Sequence, residues 1–264
     1  MRIIVIGKSP SWQDAGGACS GYLVEETGTR LLVDCGNGVF GKLRAQCDYT
    51  EVDAIVVSHL HADHCLDLVP FAYALTYSTR QQPWPVGGHP GTSNPARPRL
   101  VLPPGGIELM RTLSGLWGAP SLIADAFACE EYEPGGSVDI DALRLRFGSV
   151  PHWVPTCAID ITPAAGGPRF VFGADSAPNE EIIAFGAGAD LLMLEATLPR
   201  PERDGIRGHL TAEEAGAHAK AAAPGRLVVT HISDELDPDD ALAKASAAFG
   251  REAELAREGA QYEI

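Results

Sequence analysis

The 264-residue chain has no apolar run approaching the roughly 18 residues that a bilayer-spanning helix needs, which argues against a membrane-spanning role. It has no C-x-x-C pair. Cys19, Cys35, Cys47, Cys65, Cys129 and Cys157 are scattered, so neither a zinc knuckle nor a disulfide framework is indicated, and buried thiols are expected. The N-terminus starts at once on "RIIVIG", without the longer apolar region and small-residue cleavage site of a secretory signal, and a cytoplasmic protein is expected. Cations are scarce. The 20 Lys and Arg face 35 Asp and Glu, a formal charge of -15, which argues against a broad surface for long nucleic acid but not against a small anionic substrate. No Gly/Ser-rich linker, repeat or low-complexity segment divides the chain, and its length suits one domain over 1–264.

What is present is a succession of short β-rich runs, at 2–7, 21–26, 30–36 and 54–58, separated by Gly-bearing turns. A helix is expected over about 66–77. Residues 78–98 hold five prolines and three glycines, which forbids regular structure over most of their length; a lid, an interface and disorder all remain open. Strands are then expected at 99–103, 127–131, 143–150, 156–162, 169–173, 191–196 and 226–230, and a helix at 106–115. Three further helices have start signals: Asn179, the capping box Thr211-x-x-Glu214, and Asp237 before Pro238. Residues after Gly250 read equally as helix or closing strand. Because several strands come in consecutive runs, two mixed sheets covered by helices fit better than one doubly wound parallel sheet.

The stretch "SHLHADHCLDL" (58–68) packs three histidines and two aspartates into eleven positions after an apolar run. Residues two apart in an extended chain point to the same side, so His59 and His61 can chelate one ion. Asp63 and His64, on the turn beyond, can face a second. Borderline-soft divalent metals take this mixture of imidazole and carboxylate.

"HLHADH" stands as an H-x-H-x-D-H motif, and with "LLVDCG" (Asp34), "VPHW" (His152), "VFGADS" (Asp175) and "VVTHIS" (His231) in order, the chain resembles the metallo-β-lactamase-fold superfamily. The resemblance implies an α/β architecture, an αββα sandwich of two mixed β-sheets flanked by helices, with the metals at one edge between the sheets. It implies that His59, His61 and His152 bind a first divalent ion, that Asp63, His64 and His231 bind a second, and that Asp175 bridges them. Zinc is the first choice and manganese the second. Asp34 would orient the metal loop through hydrogen bonds. His89 and His218 are read as solvent-facing or packing residues.

Fold does not give function, so the branch rests on side chains. The β-lactamase branches lack an aspartate at the position of Asp175, and β-lactam hydrolysis is set aside. "LLMLEATL", "GHLTAEEAG" and "VVTHIS" resemble the C-terminal half of the transfer-RNA 3'-processing endonucleases and related phosphodiesterases, where a Glu and a His assist proton transfer to the leaving oxygen; here these are Glu195 and His209. Asp63 would orient the attacking oxygen. The chain departs from the endonucleases in its acidity and in lacking a basic, glycine-rich arm: 78–98 holds only Arg80 and Arg97 as cations. The expected activity is therefore hydrolysis of a small phosphodiester, such as a cyclic nucleotide, by a metal-bridging hydroxide. A thioesterase or lactonase, a transfer-RNA 3'-processing endonuclease and a non-catalytic metal-binding protein are the alternatives. Trp84 and Trp153 are candidates for stacking on a base, with rim or core packing as the rival reading. A homodimer is left open.

Overall fold

Alternate residues of the central strands go to opposite cores, which is why these strands read as continuous apolar runs rather than as polar/apolar alternations. Ile3 and Val5 face one core and Ile4 and Ile6 another; Leu191 and Met193 are separated from Leu192 and Leu194 in the same way. A computed structural model of the protein describes residues 1–202 and 207–264. It begins with strands Arg2–Gly7 (β1), Gly21–Glu26 (β2) and Thr29–Val33 (β3), helix Val39–Gln46 (α1), strand Ala54–Val56 (β4), helices Ala62–Cys65 (α2) and Leu68–Tyr77 (α3), and strand Arg99–Leu102 (β5). Helices Gly106–Gly115 (α4) and Leu122–Ala126 (α5) and strand Ala128–Glu131 (β6) follow. The second half runs through strands Ser137–Ile140 (β7), Leu143–Val150 (β8), Thr156–Pro163 (β9) and Phe170–Phe172 (β10), helix Glu180–Gly186 (α6), strand Leu191–Glu195 (β11), helix Ala212–Ala222 (α7), strand Arg226–Thr230 (β12), helix Pro238–Phe249 (α8) and strands Glu254–Leu255 (β13) and Gln261–Glu263 (β14).

These strands form two seven-stranded mixed sheets, β14-β1-β2-β3-β4-β5-β6 and β13-β12-β11-β10-β9-β8-β7. The core between them holds Val5, Tyr22, Val33, Phe147, Ile159 and Met193. A second core lies between the first sheet and α1, α3, α4 and α5, and a third between the other sheet and α6, α7 and α8. The result is the αββα sandwich expected from the sequence. Among the described residues no helix is long and apolar enough to cross a membrane.

Several boundaries differ from the sequence expectation. The run 30–36 ends as strand at Val33, because Asp34 turns to a φ of 59°, in the left-handed region that Asp tolerates better than most residues. The helix expected over about 66–77 is α3, which starts at Leu68 and ends at Tyr77, and Asp63 and His64 lie on a separate short helix, α2, rather than on a turn. Helices α1 and α5 and strand β7 were not anticipated. Segment 78–98 is irregular chain, with one 3-10 turn at Thr79–Gln81, a bridge between Val86 and His89, and bonds from Gln81 to Ala96 and from Gln82 to Thr76. The ambiguous tail resolves into strands, β13 extending one sheet parallel to β12 and β14 closing the other against β1. The three helix-start signals hold: Asn179 Oδ1 accepts from Ile182 N, the Thr211/Glu214 box closes reciprocally, and Asp237 accepts from Asp239 and Asp240.

Candidate metal centre

Strands β3 and β4 run parallel, as do β10, β11 and β12, and β8 points the same way as β10 because both are antiparallel to β9. All the candidate side chains follow the C-terminal ends of these strands: Asp34 after β3, the His59 loop after β4, His152 after β8, Asp175 after β10, Glu195 at the end of β11 and His231 after β12. A bond from Cys157 N to Ser58 O, 3.2 Å, joins the two sheets at that end. Of the non-glycine residues with positive φ, Asp34, Ala174 and His231 all sit here, at 59°, 54° and 57°. Such strain is held only where surrounding contacts over-determine it.

Every residue proposed from the sequence as a ligand is brought into one cluster. His59, His61 and His152 form one group and Asp63, His64, Asp175 and His231 another, the donor atoms within each lying within 4.8 Å of one another. His61 Nδ1 is 3.1 Å from both His59 Nε2 and His152 Nε2. In the second group His64 Nε2 is 3.3 Å from Asp175 Oδ2, and His231 Nε2 is 3.3 Å from Asp63 Oδ2. Asp175 Oδ2 also lies 3.6 Å from His231 Nε2 and 3.8 Å from His59 Nε2, so one oxygen reaches both groups.

The outer nitrogens explain the orientation of the inner ones. His64 Nδ1 donates to Asp34 Oδ2 at 2.6 Å. The same carboxylate accepts from Ser58 Oγ at 2.9 Å and Ser58 N at 2.7 Å, leaving Ser58 Oγ to accept from His59 Nδ1 at 3.1 Å. His152 Nδ1 donates to Gly208 O at 2.8 Å. Thr197 Oγ1 donates to Glu195 Oε2 at 2.5 Å and accepts from His231 Nδ1 at 2.8 Å. Four imidazoles thus have Nδ1 occupied outside and Nε2 turned inward; His61 alone of the set presents Nδ1. Fixing the tautomer in this way is what holds a histidine as a ligand.

The donor set fits divalent cations. His64 Nε2 is buried and has no hydrogen-bond partner, although it lies between the oxygens of Asp175 and Asp63. Donors on a tetrahedron of radius ~2.0–2.1 Å would stand roughly 3.3–3.4 Å apart, close to the 3.1–3.8 Å separations found here. Electrostatics point the same way. Burial opposes a charge on His64, yet the carboxylates of Asp175 and Asp34 hold its pKa well above the usual value, so a proton supplies the positive charge the acids demand. Burial pushes His59 well down and His152 to about 4, which leaves their nitrogens free of protons. Burial would raise Asp63 and Asp175, but neighbouring imidazoles depress both.

Glu195 and His209 are joined at 2.9 Å between Oε1 and Nδ1, with His209 Nδ1 3.8 Å from Asp175 Oδ2. Burial alone would lower His209, but the Glu195 carboxylate overrides it and raises the pKa to about 9. Glu195 also accepts from Ser176 N at 2.9 Å, tying the acid to the residue after Asp175. Sequence reasoning missed Ser58, Thr197 and Gly208, which orient the imidazoles. Their only signal was position, directly beside or two residues from a proposed site residue. His218 packs between α6 and α7, its Nε2 accepting from Asn179 N, and His89 is exposed, both outside the centre. The six cysteines are free thiols, and burial pushes Cys19 and Cys65 up to about 12.

Asp34→Asn keeps the side-chain volume and a residue type tolerant of positive φ, but removes the charge that three groups share. It is expected to weaken divalent-metal affinity by about 10–100-fold with the fold intact, measured by competition with a chelator and by circular dichroism. Affinity equal to that of the parent would remove Asp34 from the support of the centre.

Residues 29–232 match the Beta-lactamase superfamily domain, and the chain belongs to that family. It is 28% identical over its whole length to the probable metallo-hydrolase YhfI of Bacillus subtilis, also covered in full. The crystal structure of YhfI superposes with a TM-score of 0.83, covering 100% of this chain and 98% of that one. Ribonuclease Z of Bradyrhizobium diazoefficiens is 29% identical, over 92% of this chain and 93% of the relative. The short form of human tRNase Z, at 19% identity, TM-score 0.74 and coverage of 100% and 99%, shares the fold.

Proposed function

We propose that this protein is a metal-dependent hydrolase that cleaves small phosphodiesters, with His59, His61 and His152 holding one divalent ion, Asp63, His64 and His231 a second, and Asp175 both. The observation that carries the reading is the Glu195–His209 pair beside the metal-facing cluster. A thiolate leaves without help, whereas the alkoxide of a phosphodiester needs a proton, and a buried imidazole hydrogen-bonded to a carboxylate is suited to give one. Zinc or manganese, when bound, would supply Lewis-acid activation of water and offset charge on the phosphoryl oxygens. Asp63 orients the attacking oxygen. As water's oxygen joins phosphorus and the ester P–O bond breaks, the leaving oxygen takes the proton from His209 Nε2, because Nδ1 is engaged by Glu195, and the proton released by the attacking water restores the imidazolium once the alcohol has left. Glu195 stabilises the imidazolium before that transfer.

Hydrolysis by the metal-loaded protein should be compared on a cyclic nucleotide, a nitrophenyl phosphodiester, a thioester, a lactone, nitrocefin and a precursor transfer RNA. Turnover confined to the thioester or lactone would replace this reading. Bound metal without turnover on any of them would favour a non-catalytic role.

A formal charge of -15 supports a small substrate over a transfer RNA. The alignment with Ribonuclease Z also extends over 294 positions, more than this whole chain contains, so that relative carries stretches without a counterpart here. Binding of transfer RNA at physiological salt is expected to be weak or absent, since few cations are available to release phosphate counterions. Tight binding that falls steeply with added salt, measured by fluorescence anisotropy, would restore the endonuclease reading.

A further inference from the structure

Trp153 stands at the rim of the metal-facing cluster. Its ring centroid is 5.0 Å from that of His152, 5.1 Å from His209 and 6.4 Å from His61, yet the residue is 51% exposed. Trp12, Trp84 and Trp117 are also exposed. Among the described residues, however, the tryptophan ring in contact with the metal-facing imidazoles is that of Trp153.

Gly208 fixes the indole there. A Cβ on Gly208 would lie 2.6 Å from Cε2, 2.7 Å from Cζ2 and 2.9 Å from Cδ2 of Trp153, so the ring rests directly on the glycine backbone. The carbonyl of that same residue accepts from His152 Nδ1. Ring position and imidazole orientation therefore depend on one short stretch of backbone. A ligand whose phosphoryl group reaches the cluster has this flat surface beside it. Stacking requires no cation, and it offers affinity for an anionic ligand on a protein with few cations to spare.

We propose that Trp153 is a stacking platform for a nucleobase carried on the phosphoryl group, which makes nucleotide phosphodiesters the substrate class. The inference rests on the phosphodiesterase reading of the same centre. Base–aromatic stacking of ~1–3 kcal/mol corresponds to about 5- to 150-fold in affinity.

The test compares binding of AMP and of ribose 5-phosphate, which share the phosphate and sugar, to the metal-loaded parent, Trp153→Ala and Trp153→Phe by calorimetry, with metal content measured in each. The parent should bind AMP about tenfold tighter or more, Trp153→Ala should bring the two ligands within about twofold, and Trp153→Phe should keep most of the preference. AMP should also quench the tryptophan emission of the parent and quench that of Trp153→Phe less, a readout that stands if the alanine variant loses metal. Equal affinities in the parent, no AMP binding, or a preference that survives in Trp153→Ala overturns the platform. A parent that prefers AMP but hydrolyses no phosphodiester keeps the platform and removes the reaction, so the two failures are distinguishable.

Discussion

Asp175→Ala is expected to reduce bound divalent metal from two ions per chain to one or none and to lower phosphodiester hydrolysis by about 10³-fold or more, since a metal's charge stabilisation is worth several kcal/mol. The reason is geometric. A single oxygen, Asp175 Oδ2, lies 3.3 Å from His64 Nε2, 3.6 Å from His231 Nε2 and 3.8 Å from His59 Nε2, so it is the carboxylate that ties the two donor groups together. Its loss also leaves His64 with less negative charge around a buried imidazolium in the metal-free protein, and removing one partner of a buried pair is destabilising. Asp175→Asn keeps the volume and separates loss of charge from loss of packing. Elemental analysis and rate measurements check both variants. Two ions retained in Asp175→Ala at the parental rate would remove the bridging role.

His209→Ala is expected to slow an alkyl phosphodiester by roughly 10²–10⁴-fold, the usual range for general acid catalysis. A nitrophenyl diester should lose much less, because nitrophenolate leaves without a proton. The contrast between leaving groups, rather than the size of either loss, tests the assignment. Equal losses on both substrates would make His209 a positioning residue, for its ring also packs against Trp153 and His152. Rates equal to the parent's on both would end its role altogether. The comparison holds at matched metal content, because Glu195 also reaches His231 through Thr197 and a shifted carboxylate could disturb the centre.

The two predictions draw on different layers of the molecule. Asp175, His231, His209 and Glu195 were implied by the resemblance of their motifs, and local pattern only supported them, because each follows or ends an apolar run or precedes a helix cap. His59, His61, Asp63 and His64 stood out by spacing. What local pattern could not show was how the inner nitrogens are aimed. Ser58 looks like an ordinary serine at the end of an apolar run, and becomes the link between Asp34 and His59 only when β3 and β4 pair. Thr197 and Gly208 acquire their roles from strands and loops far apart in the chain.

The same division holds for the fold. Short β-rich runs bounded by turn residues identified most strands, because run length and composition are properties of neighbouring residues. The left-handed turn at Asp34 was invisible to that reasoning, since a single residue with positive φ leaves no periodic trace. The last two strands show the limit most plainly. Glu254–Leu255 and Gln261–Glu263 lie six residues apart and join different sheets, β13 beside β12 and β14 beside β1. The sequence by itself determined the helix starts, which depend on local spacing, and carried the ordered motifs whose resemblance implied the αββα class and the proposed ligand set. Only the tertiary structure decided strand partners, imidazole orientation and the seat of Trp153 on Gly208, because these depend on which distant surfaces become buried together.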